Sequence, residues 1–239
     1  MDIHKPKPVH SWREFVSEIA VVVVGISIAL TGEQIIERLH EHRVADEARE
    51  QIRAEAATDL AVLGNRVKVE PCLDKRFAEL RQMLAKAGTP EYPAPNWIGR
   101  PGAWDNQSGR WQAASQGGRI ALLSSVEQGG FSFIYGQLAQ ILLVEADERQ
   151  QWSHLEALQG VSHPSSSLID AARPALSQAM ADDQAIRIRI AESTTALHNL
   201  GVASVRSPVE SKFESVCIPT STPTADGYER RDRAVREAS

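Results

Sequence analysis

The chain predicts a mainly α fold in which an N-terminal transmembrane helix runs on into an extracytoplasmic helical bundle. Three observations predict it. Residues 15–36 are largely apolar and carry no charge apart from two flanking acids; apolar residues then recur at steps of three and four as far as residue 200; and one interruption, residues 88–109, is too rich in proline and glycine for a long helix. The expected organisation is a cytoplasmic tail over 1–14, an anchor over 15–36, a bundle over 37–200 and a largely irregular tail over 201–239.

In the anchor, FVSEIAVVVVGISIALTGEQII, the charge-free run covers only residues 19–30, but its apolar flanks extend the reach to roughly 33 Å of helix. That matches a bilayer core of about 30 Å, and Glu18 and Glu33 lie near the two headgroup levels. Lys5, Lys7 and Arg13 precede the span, and Trp12 sits where interfacial aromatics anchor helices. This bias puts the remainder of the chain outside the cytoplasm, although Arg38 and Arg43 follow the span closely. Glu14 and Glu18 intrude ahead of the apolar run and residues 29–31 make a poor cleavage site, which disfavours a signal peptide. Glu18, Gly25, Ala29 and Gly32 share one helical stripe. Gly25-x-x-x-Ala29 is a small-residue pair that permits close approach of a second helix in lipid, so this stripe is the candidate oligomerisation face.

Beyond the bilayer, Ile36, Leu39, Ala45, Ala48, Ile52, Ala56, Leu60, Leu63 and Val67 continue one helical face. Pro71 predicts a bend or short break near Glu70, after which Leu73, Phe77, Leu80 and Leu84 resume the spacing. The long loop 88–109 carries Trp97 and Trp104 and is expected to fold back over the bundle, where it could form a ligand or partner surface. Residues 110–126 suggest a modest helix ended by Gly129-Gly130. Phe131, Ile134, Leu138, Ile141, Glu145, Glu148, Trp152 and Leu155 then step by three and four without exception. The next segment repeats the pattern through Leu168, Ala172, Leu176, Ala179, Asp183, Ile186, Ile190, Leu197 and Leu200, with Pro174 expected to kink it or start it afresh. After Gly201 the tail offers little apolar surface, and its arginines near the C-terminus are nearly balanced by acids.

The run SWREFVSEIAVVVVGISIALTGEQ resembles the N-terminus of a set of uncharacterised bacterial proteins that begin with EF-x-x-E-I, a V/I-rich stretch and G-I-x-I-A-L. Glu14, Phe15, Glu18, Ile19, Gly25, Ile26, Ile28, Ala29 and Leu30 carry the likeness. It covers about a tenth of the chain. The resemblance implies a bacterial inner-membrane protein anchored once and brings no catalytic residue; together with the charge bias around the span it leads to the expectation of a C-terminal domain in the periplasm.

A net charge of −5 argues against nucleic acid, which is bound through clustered Lys and Arg. The two cysteines, Cys72 and Cys217, could pair in an oxidising compartment; each lies beside a proline-containing irregularity. The sequence has no phosphate-binding glycine loop, no G-x-S-x-G, no H-E-x-x-H and no C-x-x-C. Glu37-x-x-His40 has a di-metal spacing without the second copy such sites need, so no metal or cofactor is implied. Glu145, Glu148 and Asp183 interrupt otherwise apolar stripes. They are expected on the stripe edges, salt-bridged at the surface to Arg149, Arg187, Arg189 or His154; facing a pocket, they could instead serve acid–base chemistry or bind a cation. Three readings follow: a membrane-tethered interaction or scaffold module with a protein partner or second copy, a ligand-sensing module working through a partner, and an enzyme using these acids.

Overall fold

The computed structural model describes residues 12–103, 108–208 and 214–237. Among them are six α-helices and no strand: α1 (Trp12–Lys68), α2 (Glu70–Ala85), α3 (Gly109–Gln116), α4 (Ser125–Glu156), α5 (Ser166–Asn199) and α6 (Thr224–Glu237), with 3-10 turns at Arg119–Leu122 and Glu214–Cys217. The chain is thus mainly helical, with one N-terminal helix long and apolar enough to cross a membrane. Lys5, Lys7 and Trp104 lie outside the described residues.

α1 is continuous for 57 residues, about 85 Å at 1.5 Å per residue. Ile36 and Leu39 are exposed, so the buried face starts only at Ala45. The predicted break is one residue wide: Val69 separates α1 from α2, whose second position is Pro71, where a missing N–H costs no intrahelical bond. Both helices pack on the α4/α5 hairpin, giving a three-layered bundle in which α1 and α2 together form one member.

The helix end predicted at Gly129-Gly130 is absent, and no fresh start occurs at Pro174. α4 begins before Gly129-Gly130 and runs through them, because Ser124 and Glu127 form a capping box that starts the helix early. Gly130 serves packing instead: a Cβ there would press on the Leu200 side chain at 2.8 Å. α5 likewise continues through Pro174, which is exposed together with Asp170, so water can satisfy the carbonyl the proline leaves without a donor.

The hydrophobic interior falls into two clusters. The first joins Ile52, Leu60 and Leu63 of α1 to Phe131, Leu138 and Ile141 of α4 and to Ile186, Ile190 and Leu197 of α5. The second joins Leu73, Phe77 and Leu80 of α2 to Trp152 and Leu155 of α4 and to Ala172, Leu176 and Ala179 of α5, with Phe77 stacked on Trp152. The tail is held more firmly than its composition suggests. Val216 is buried in the second cluster, the Asn96 and Trp97 backbone N–H groups donate to the Thr220 carbonyl, and Trp97 Nε1 donates to Ser215 O at 3.0 Å. The Trp97 ring meets Tyr228 edge-on and lies against Gly227, where any Cβ would collide with it. Cys72 and Cys217 sit at disulfide distance, with Cα atoms 5.0 Å apart.

Candidate functional site

Between the two clusters lies a layer of charge to which α1, α4 and α5 each contribute at the same height. On α1 it falls between Leu63 and Val69, on α4 between Ile141 and Trp152, and on α5 between Ala179 and Ile186. Arg66 is its centre, 1% exposed; one terminal nitrogen donates to Glu148 Oε1 at 2.6 Å and to Asp183 Oδ1 at 2.7 Å. The other Asp183 oxygen accepts from Arg187 at 2.7 Å, and Arg187 reaches outward to Asp74 at 2.7 Å and Glu70 at 3.7 Å. Trp152 Nε1 donates to Glu148 Oε1 at 3.2 Å, closing the layer against the second cluster.

The edge expectation for the acids is therefore overturned: Glu145, Glu148 and Asp183 are 4%, 3% and 3% exposed. The reason is a cation that the stripe pattern hides. Counting four from Leu63 selects Val67, which is exposed, whereas counting three selects Arg66, which is buried. A buried carboxylate is tolerated where an opposite charge is hydrogen-bonded to it, and Arg66 provides that for two acids at once. Of the predicted partners only Arg187 joins the layer. Arg189 donates to Gln137 at 2.6 Å, and Arg149 and His154 are exposed. Burial pushes the Glu148 carboxyl above its ordinary range, with the Arg66 guanidinium pulling against it.

The space beside these acids is small. Residues 100–103 of the loop lie over Glu145, Glu148, Arg149 and Trp152 and enclose about 10 Å³, barely the room of one water. Trp97, three residues before Arg100, makes its contacts with the C-terminal tail instead. The layer can hold charge and fix register; it has no room for a substrate. Among the described residues no three His, Cys, Asp or Glu side chains converge as a metal would require.

A buried acid outside this layer, Glu55, was missed altogether in the sequence pattern. Glu55 accepts from the backbone N–H groups of Arg110 and Trp111 at 2.8 and 3.0 Å and from Tyr135 Oη at 2.8 Å. It thereby caps α3 from another helix, and Trp111 stacks on Tyr135 with centroids 4.7 Å apart. Burial and the Glu55 carboxylate hold the Tyr135 hydroxyl well above its ordinary pKa, so it stays a donor.

A groove of about 1000 Å³ opens between α1, α5 and the extended segment 202–207, and another hollow of about 460 Å³ lies between α2 and α5 beside Arg81, Leu84, Arg173 and Met180. Arg187 lines the first groove; the candidate acids Glu145, Glu148 and Asp183 line neither. The small-residue stripe on the apolar half of α1 is also apart from the bundle: Gly25 and Gly32 have open space where a Cβ would go, and a shallow hollow beside them is lined by Val24, Ser27, Ile28, Thr31, Gly32 and Ile35. Compared with known proteins, the chain matches no family model, no curated protein and no solved structure.

Proposed function

We propose that this chain is a membrane-tethered helical module that acts by contact, as an interaction or scaffold protein, rather than by turnover. The observation that carries this reading is α1. One helix leads from an apolar, exposed half to a half built into the bundle, so a bilayer around residues 15–36 would hold the bundle on a stiff stalk. The acid–base alternative is less well supported, since Glu148 and Asp183 are engaged by Arg66 and Arg187 and the space beside Glu145 and Glu148 is about 10 Å³.

The finer placement belongs to the same proposal: one span in a bacterial inner membrane, bundle in the periplasm, and the Pro/Trp-containing segment after α2 covering the far end. The Cys72–Cys217 pair supports an oxidising compartment. Contact surfaces are available on the anchor stripe of Glu18, Gly25, Ala29 and Gly32, and on the outer faces of α4 and α5, where Phe133, Leu143 and Ile188 are 45%, 61% and 48% exposed. A photoreactive amino acid at Phe133, Leu143 or Ile188, irradiated in native membranes, should give discrete protein adducts. A folded protein that yields no adduct from any of these positions would contradict a contact function.

A further inference from the structure

The groove between α1 and α5 has the properties of a binding site for a single-chain anionic amphiphile. Its walls are Ala57, Leu60 and Gly64 of α1 facing Ile190 and Leu197 of α5, and Val202 and Val205 of the extended segment close the third side. Gly64 leaves its part of the wall hollow, with nothing within 4 Å of where a Cβ would sit. The two helices run antiparallel here. Arg53, one turn before Ala57, donates to the Leu200 carbonyl, while Arg187, three turns earlier on α5, reaches Glu70 beyond the end of α1. The groove therefore has two distinct ends.

The end at Lys68 is the charged one. Lys68 Nζ donates to Asn65 Oδ1 at 2.9 Å, and Asn65 Nδ2 donates to Ser207 Oγ at 2.8 Å, which draws the exposed Arg206 to the same rim. Neither Lys68 nor Arg206 makes an ion pair among the described residues, whereas Arg187 is spent on Asp183 and Asp74. With Arg187 engaged by Asp183 and Asp74, the described residues at this end set Lys68 and Arg206 against Glu70, a balance of one positive charge. That favours a monoanion, a carboxylate, over a doubly charged phosphate. The other end, by Leu197 and Val202, carries only His198.

An acyl chain with one charged head matches an apolar trough with cations at one end. Along α1 the groove runs from Ala57 to Lys68, about 16 Å of helix. The volume itself is at the upper end of small-molecule sites, about 300–1000 Å³. We infer that the α1/α5 groove binds a long-chain fatty acid, its chain laid along Leu60, Ile190 and Leu197 and its carboxylate held by Lys68 and Arg206. This inference does not depend on the scaffold reading, which concerns the outer faces.

The test uses the full-length chain in phosphatidylcholine nanodiscs, photolabelled with a clickable diazirine palmitate and mapped by mass spectrometry. Adducts are expected on residues 57–67 and 190–197. Ala191→Trp, which fills the groove from an exposed position, should abolish them, and Lys68→Gln with Arg206→Gln should reduce them about tenfold, the effect of losing one charge-assisted hydrogen bond. A diazirine hexadecanol should label the same peptides about tenfold less, for the same reason. Helical circular dichroism and an intact Cys72–Cys217 pair qualify each variant as folded, and Thr194→Trp is read in place of Ala191→Trp if the latter fails. Adducts absent from the groove, adducts unchanged in the tryptophan variant, equal labelling by the alcohol, or a second copy of the chain cross-linked through these peptides would each overturn the assignment.

Discussion

The two halves of α1 are one continuous helix with opposite surfaces. From Trp12 to Arg43 none of the described side chains is buried, and the residues that face outward are valines, isoleucines and leucines. From Ala45 to Lys68 the helix buries Glu55, Asp59, Asn65 and Arg66 along with its apolar face. The apolar half is exposed and the half inside the protein carries the buried charge. The difference teaches that burial alone does not say which residues stabilise a helix. In lipid, apolar exposure is the favourable state; inside the bundle, a charge is tolerated wherever it is matched.

The largest expected effect comes from breaking that match. Arg66→Met leaves Glu148 and Asp183 facing an apolar side chain and should destabilise the bundle by about 3–5 kcal/mol. The triple change Arg66→Met/Glu148→Met/Asp183→Leu should recover most of that loss, since an apolar layer of similar volume is often neutral or better. Urea unfolding followed by circular dichroism separates the two; a triple variant as weak as the single one would mean the layer does more than balance charge.

Next is the disulfide. Cys72→Ser/Cys217→Ser should cost about 2–4 kcal/mol. The tail should nonetheless stay protected from protease, because Trp97 and the Thr220 carbonyl hold it independently. Release of the tail in the double serine variant alone would show those contacts to be incidental. Adding Trp97→Ala should free it.

A smaller effect is expected with pH. Glu127 meets burial, which opposes its charge, but hydrogen bonds from Arg49 and Ser124 prevail and keep its carboxyl below the ordinary range. Its contribution is therefore complete above the ordinary carboxylate pKa and is lost as pH falls through that range toward the folded value. Glu148 runs the other way: with its carboxyl raised, stability declines as pH rises from the ordinary value to the folded one. Glu127→Gln should flatten the acid limb of a stability–pH profile by under about 1 kcal/mol, the scale of a partly screened pair, and Glu148→Gln should flatten the opposite slope. An unchanged acid limb in Glu127→Gln would remove the Arg49 pair from the account.

Much of this was legible in the sequence where the signal was periodic. The apolar stripe residues of α4, from Phe131 to Leu155, and of α5, from Ala172 to Leu197, are buried as the spacing predicts, whereas Glu145, Glu148 and Asp183, expected on the stripe edges, are buried with them. What could not be read was pairing across helices. Nothing near Arg66 in the chain indicates that it will meet Glu148 and Asp183, and nothing near Glu55 indicates that it will cap α3; both depend on how helices stack. Local breakers misled for the complementary reason. Gly129-Gly130 and Pro174 weaken a helix in isolation, but the Ser124 cap and tertiary packing outweigh one or two such residues. The groove was invisible because it is defined by absent side chains, Ala57, Gly64 and Ala191, on elements far apart in sequence.

The central claim, that α1 is one helix passing from lipid into protein, is tested most directly by a spin-label scan of residues 15–68 in the membrane-reconstituted chain, one labelled cysteine at a time beside the native Cys72–Cys217 pair. Oxygen accessibility should dominate over residues 15–36 and water-soluble relaxant accessibility over residues 37–44. From Ala45 onward both should fall with a helical period, with minima at Ala48, Ile52 and Leu63. Water accessibility across residues 15–36, or a helical period lost between residues 36 and 45, would contradict it.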